Sequence, residues 1–203
     1  NCIISNNTAR NGGGIACSGQ KPVFWNCLIS NNTAEIGGGC YLTKESGYTT
    51  GTKLINCTIV KNEATDDYGG VFTSNSTQNN IRSCIIWGNV SQGETAQIDP
   101  IAAYLHCAVQ DDKSGSELNF DANAENDGNS PGFYVRFNHT DVTAGNTGQG
   151  GNWRLQSNSL CIDRVDSIAG QPATDLDGNP RIRHNRIDLG AYESNTVSLV
   201  INA

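Results

Sequence analysis

The chain is organised around one repeated segment, in which a cysteine is followed two residues later by a β-branched residue. The first three copies are NCIISNNTARNGGGIAC, NCLISNNTAEIGGGCYL and NCTIVKNEATDDYGGVF, and two shorter copies, SCIIWGNV and HCAVQDD, follow them. Their cysteines recur at intervals of 23 to 30 residues. A period of this size is typical of a solenoid, in which each repeat forms one coil and length differences fall in loops.

Aligned on these cysteines, the copies share three columns. Residues two places apart point to the same side of a strand, and small thiols and β-branched side chains suit a buried face. Polar side chains five places after the cysteine could bond to one another across strands stacked about 4.8 Å apart. The columns are the thiols of Cys2, Cys27, Cys57, Cys84 and Cys107, the aliphatic side chains of Ile4, Ile29, Ile59, Ile86 and Val109, and a ladder of Asn7, Asn32, Asn62, Asn89 and Asp112.

These columns predict an all-β fold, a right-handed parallel β-helix or solenoid. Residues 1–110 would form its regular coils. The repeat fades after Cys107, so residues 111–203 are expected to form an irregular coil and a C-terminal cap of the same domain. A cap is expected because an open end would expose core residues and strand edges.

The charge of the chain narrows the choice of partners. The net charge is −7 at pH 7 and the isoelectric point is about 4.8. A nucleic-acid partner calls for a basic face, and no apolar run approaches the roughly 20 residues of a spanning helix. We therefore expect neither nucleic-acid binding nor membrane insertion. Because the chain begins inside a repeat, we also expect it to be part of a longer protein.

Several short motifs of the sequence are distinctive. They are SCIIWGN, WRLQ, CID and, between Thr174 and Glu193, TDLDGNPRI followed by IDLGAYE. Together with the repeats they resemble secreted bacterial parallel β-helix repeat proteins, including the set called choice-of-anchor Q proteins. The repeats are also similar to those of polymorphic outer-membrane adhesins. The resemblance covers nearly the whole chain and implies a secreted or cell-surface, extracellular protein.

The eight cysteines allow two interpretations. A secreted chain with this many cysteines suggests disulfides, and strands in a stack bring Cα atoms within disulfide range. Five cysteines in one column cannot all pair, however, so the column is better explained as buried free thiols that pack as small apolar groups. A disulfide bond between Cys17 and Cys40 is possible but not favoured. Without a Cys-x-x-Cys pair, a cysteine metal site is not expected.

One short motif suggests calcium. Asp175, Asp177 and Asn179 offer oxygen atoms at alternate positions, as calcium loops do. The glycine at position 178 is not where an EF-hand has it, and an Asp-Gly turn explains the same residues without an ion. No other cofactor is indicated.

Catalytic candidates are scattered. A glycosidase needs two carboxylates about 5–10 Å apart, which Asp66 and Asp67, or Asp111 and Asp112, could supply. A polysaccharide lyase needs a base beside an acidic sugar. Its candidates are Lys61, which adjoins the ladder, and Lys44, Lys53 and Arg82.

Four aromatic residues in or beside the coils are candidates for stacking on sugar rings, namely Trp25, Tyr41, Tyr68 and Trp87. Each could equally pack beneath a loop. The sequence favours a structural or adhesive module that binds a glycan or cell-surface polymer. One alternative is a polysaccharide lyase or glycoside hydrolase. Another is a subunit of an extracellular filament that self-associates through the open N-terminal coil.

Overall fold

The structure is a computed structural model that describes residues 1–18, 22–43, 51–74, 80–99, 102–110, 120–121, 152–157 and 159–195. Lys44, Asp111 and Asp112 lie outside the described residues. In chain order the strands are β1 (Ile3–Ser5), β2 (Ile15–Ser18), β3 (Val23–Trp25), β4 (Leu28–Ser30), β5 (Thr33–Ile36), β6 (Cys40–Thr43), β7 (Lys53–Ile55), β8 (Thr58–Val60), β9 (Glu63–Asp67), β10 (Val71–Thr73), β11 (Asn80–Arg82), β12 (Ile85–Trp87), β13 (Val90–Ser91), β14 (Glu94–Thr95), β15 (Tyr104–Leu105), β16 (Ala108–Val109) and β17 (Phe120–Asp121).

The strands stack into four sheets, and the two complete coils, β4–β7 and β8–β11, run through them in the order A, B, C and D. Sheet A is β1-β4-β8-β12-β16-β17, sheet B is β5-β9-β13-β14, sheet C is β2-β6-β10 and sheet D is β3-β7-β11-β15. Every pairing is parallel except that of β13 with β14. The predicted all-β parallel β-helix is therefore confirmed. Within the described residues, no helix is long and apolar enough to cross a membrane.

The thiol and aliphatic columns face the interior of the coils, where they form a cluster that we call the inner core. Its fully buried residues include Ile29, Cys57 and Ile59. The Cys57 backbone N–H points to Sγ of Cys84 at 3.4 Å, and all eight cysteines are free thiols. Burial raises the pKa of the Cys40 thiol well above its usual value. The Cys40 thiol accordingly packs as a neutral, small apolar group.

The predicted asparagine ladder is confirmed for Asn7, Asn32, Asn62 and Asn89, while its fifth member, Asp112, lies outside the described residues. Nδ2 of Asn7, Asn32 and Asn62 donates in each case to Oδ1 of the next asparagine, at 3.0, 2.9 and 2.9 Å. The backbone N–H of each donates to the same oxygen at 3.0 Å. After Asn89 the acceptor is Oε1 of Gln97, at 2.9 Å. Gln97, which the repeat alignment does not predict, therefore continues the ladder through a longer amide side chain.

The described part of the C-terminal segment, residues 152–157 and 159–195, packs against the outside of the coils. It lies along the outer face of sheet A: the Ala191 N–H donates to Thr58 Oγ1 at 2.9 Å and the Gly190 N–H to the Ser83 carbonyl at 3.0 Å. A Cβ on Gly190 would lie 2.6 Å from Thr58 Oγ1, so this approach requires glycine. The physical reason is that the sheet A strands are apolar on both faces and need a cover outside as well as inside. The resulting outer core consists of Leu28, Val60, Ile85, Ala108, Trp153, Leu155, Cys161, Ile162, Val165, Ile187, Leu189, Ala191 and Tyr192.

Beside the outer core, the TDLDGNPRI and IDLGAYE motifs form a buried polar network. Arg181 is fully buried, with Nε 3.2 Å from Glu193 Oε1 and Nη2 donating to the carbonyl oxygens of Asp188 and Gly190. The Asp188 carboxylate accepts the backbone N–H groups of residues 163 and 194 at 2.7 and 2.6 Å. Burial raises the pKa of Asp188 to about 6 and also raises the pKa of Glu193. The most distinctive motif of the sequence thus holds the segment together.

Candidate functional site

The candidate site is a cleft on the outer face of sheet D, which we call the sheet D cleft. On these strands Phe24, Leu54 and Ile81 alternate with the residues that face outward. A stretch of the C-terminal segment forms the opposite wall, which leaves a cavity of about 200 Å³. The cleft is lined by Val23, Trp25, Lys53, Ile55, Asn80, Arg82, Ile168 and Ala169.

The register of sheet D brings the polar lining residues together. Val23, Lys53 and Asn80 form one outward row. The second row has Trp25, Ile55 and Arg82 at the position two residues before the cysteine of each coil. Ile55 is buried at the floor, Trp25 and Arg82 are half-buried, and Lys53 is exposed. The cleft therefore combines an aromatic ring, an amide and two cations.

The corner after sheet D adds His106 near the cleft. His106 holds a left-handed backbone conformation, with φ +54°, and its Nδ1 is buried without a hydrogen-bond partner in the described residues. Burial lowers the pKa of His106, the Arg82 charge lowers it further, and Asp166 opposes both. At neutral pH the imidazole is consequently uncharged, and the positive charge of the cleft comes from Lys53 and Arg82.

A second surface has the opposite charge. On sheet C, Tyr41 and Phe72 are in register and stack with ring centroids 5.0 Å apart and planes 12° apart, and Tyr68 lies 6.0 Å from Phe72. Burial, Asp99 and then Asp67 raise the pKa of Tyr68. We call these five residues the aromatic–acid surface. Tyr68 has φ +49°, where the two preceding coils have glycine, so its backbone is strained.

Of the described catalytic candidates, Lys53 and Arg82 line the sheet D cleft, whereas Asp66, Asp67 and Lys61 do not. Asp66 and Asp67 are exposed at the end of β9, where Asp67 is part of the aromatic–acid surface. Burial, followed by Asp99 and Asp66, raises the pKa of Asp67. Lys61 lies at the other end of β9, with Nζ 5.2 Å from the centre of the Trp87 ring. Within the described residues, no ion pair joins Lys61 to either aspartate, and Trp87 packs against the outer core.

The residues of the suggested calcium loop bond within the protein. Asp175 is fully buried, and its Oδ1 accepts the backbone N–H groups of Asp177 and Asn179 at 2.9 and 2.7 Å. Its Oδ2 accepts the N–H of Glu193 at 2.8 Å, while Asp177 pairs with Arg154 at 2.5 Å. This is the Asp-Gly turn that the sequence also allows. The described residues contain no group of three or more acidic, histidine or cysteine side chains that could hold a metal ion.

The N-terminal coil presents an open edge in the described part of the chain, where β1 pairs only with β4. Ile3 is 63% exposed and Cys2 is exposed, unlike the later cysteines of the same column. Asn1 nevertheless contacts the C-terminal segment, since its Nδ2 donates to the Asp175 carbonyl at 3.0 Å. Self-association through this coil stays a prediction.

Comparisons of the chain with protein-family models, with curated proteins and with solved structures found no match. The resemblance to choice-of-anchor Q proteins and to adhesins accordingly rests on the quoted motifs alone, while the β-solenoid itself is shown. The sequence indicates Trp25 as a candidate for stacking on a sugar ring, and Lys53 and Arg82 as candidate lyase bases. It does not indicate that the three residues belong to one site. The shared position before the repeat cysteine could have grouped Trp25 with Arg82.

Proposed function

We propose that the chain is a β-helix module of a secreted or surface-displayed protein and that it binds a glycan in the sheet D cleft. The observation that carries the proposal is the half-buried Trp25 ring in a concave site beside Lys53, Asn80 and Arg82. Small-molecule sites typically combine an apolar or aromatic lining with a few polar groups that fix orientation. An indole ring offers a broad apolar face, and the amide and cations can donate hydrogen bonds to sugar oxygens.

The lining of the cleft favours binding over hydrolysis. A glycosidase uses two carboxylates about 5–10 Å apart, and none of the eight lining residues is acidic. A lyase is the second candidate function, because Lys53 and Arg82 could serve as a base beside an acidic sugar. Lysine and arginine side chains are hydrogen-bond donors, which fits the binding of sugar oxygens.

A glycan array followed by titration calorimetry tests the proposal with two matched aromatic variants. Trp25→Ala should lose glycan binding, whereas Tyr41→Ala, which changes an aromatic on the aromatic–acid surface, should retain it. Circular dichroism confirms that both variants remain folded. The proposal is wrong if the wild type binds no glycan or if the two variants behave alike. Release of unsaturated products from a uronic-acid polymer would instead favour the lyase.

A further inference from the structure

The charge of the sheet D cleft is unusual for this chain. The chain has 20 acidic and 13 basic residues other than histidine, yet the cleft has two basic and no acidic lining side chains. Lys53 on β7 and Arg82 on β11 lie on neighbouring strands and are offset by two residues, which separates their Cα atoms by about 8 Å. Two like charges this close repel each other, and the repulsion is larger beside a partly buried wall.

The described part of the chain provides no ion-pair partner for either cation. Other basic side chains have one: Arg154 pairs with Asp177, Arg181 with Glu193, and Arg186 with Asp166. Arg82 Nε, in addition, is buried and makes no hydrogen bond to the described residues. A buried, unpaired donor is costly and is expected to have a partner in the working protein.

Resting on the proposed glycan binding, we infer that the cleft selects acidic sugars, whose carboxylates pair with Arg82 and Lys53 while the sugar ring packs on Trp25. A guanidinium presents its donors in a planar fork that matches a carboxylate, and the lysine adds a second, more mobile charge. The ligand would supply the missing counter-charge. It would also place a carboxylate in a cleft whose eight described lining residues include no acidic side chain.

The test compares two probes with the same sugar chain, an oligogalacturonate with free carboxylates and its uncharged, fully methyl-esterified form, by calorimetry with the whole chain. The acid should bind more tightly, and added salt should weaken its binding, as screening of a charge pair requires. Lys53→Met and Arg82→Met should each weaken binding of the acid by about tenfold and weaken binding of the ester less. Arg10→Met, which removes an exposed cation paired with Glu35 outside the cleft, is the charge-matched control.

The outcomes separate this inference from the glycan proposal. Equal affinity for acid and ester, with both lost in Trp25→Ala, would overturn charge selection and leave glycan binding in place. Binding of the acid that Lys53→Met and Arg82→Met do not weaken would also overturn it. If neither probe binds, selection for uronic acids is wrong, and the glycan array decides the proposed function separately.

Discussion

The inner and outer cores bury similar aliphatic side chains on opposite faces of sheet A, but they satisfy their buried polar groups differently. The inner core uses neutral amides: each rung of the asparagine ladder accepts from one coil and donates to the next. The outer core uses charges, with Arg181 between the carbonyls of Asp188 and Gly190 and the Glu193 carboxylate.

The difference follows from repetition. An amide has both a donor and an acceptor, so one residue type can continue the same hydrogen-bond pattern through any number of coils. A guanidinium only donates and a carboxylate only accepts, so a network of them closes on itself. The inner core can therefore grow by adding coils, whereas the outer core is a single structure made by one segment.

The largest expected effect comes from breaking the charged network. Arg181→Ala leaves Glu193 and two carbonyls without their buried partner and should lower the free energy of unfolding by about 3–5 kcal/mol, as measured by urea denaturation. The exposed Arg10–Glu35 pair provides the control, since Arg10→Ala should change stability by less than about 1 kcal/mol. The double variant Arg181→Met, Glu193→Leu should lose less unfolding free energy than the single variant Arg181→Ala. A double variant as unstable as the single one would show that the charges are not the cause.

The pH dependence of the same network should be the next largest effect. Burial raises the pKa of Asp188 from 3.8 to about 6. A carboxyl whose pKa is raised by folding stabilises the protein below its unfolded pKa, and that contribution is lost as the pH rises through about 6. The loss is at most about 3 kcal/mol, at about 1.4 kcal/mol for each pKa unit. Asp188→Asn cannot titrate, so the difference in unfolding free energy between wild type and variant should change between pH 4 and pH 7. A constant difference would contradict the raised pKa.

The two cores also differ in how far they could be predicted. Each column of the inner core recurs in the sequence, so alignment of the repeats alone predicts that Cys57, Ile59 and Asn62 belong to stacks. The outer core depends on contacts made once and far apart, such as that between Ala191 and Thr58, which are 133 residues apart. Its motif was recognised as distinctive, but its buried role could not be inferred, because aspartate, arginine and glutamate are usually exposed.

The sheet D cleft could likewise be predicted only in part from the sequence. Trp25, Lys53 and Arg82 belong to coils, and the repeat gives their strand positions. The opposite wall, Ile168 and Ala169, comes from the nonrepeating segment, so the concave shape could not be predicted. A sequence of repeats therefore predicts which residues share a face, but not which faces a later segment covers.

Removing an asparagine from the ladder should lower the free energy of unfolding by a smaller amount, which depends on the position of that asparagine. Asn62→Ala removes a rung whose Oδ1 accepts from Asn32 and whose Nδ2 donates to Asn89 and to the Ile29 carbonyl. Leaving such buried groups unpaired should cost about 1–3 kcal/mol in unfolding free energy. Asn7 is the same residue at the exposed end of the ladder, and Asn7→Ala should cost less than about 1 kcal/mol. Equal losses in thermal or urea denaturation would mean that burial of the rung is unimportant.

The smallest expected change in unfolding free energy comes from a pair of variants that test whether the two cores unfold together. Ile59 in the inner core and Ile187 in the outer core are both fully buried, and replacing either with valine deletes one methylene group. Each change should lower the free energy of unfolding by about 0.5–1.5 kcal/mol. If the segment and the coils form one cooperative unit, both variants shift the same urea transition and speed amide exchange in both cores. If Ile187→Val speeds exchange only in residues 152–195, the outer core opens by itself and the coils remain folded without it, because local opening is limited by local stability.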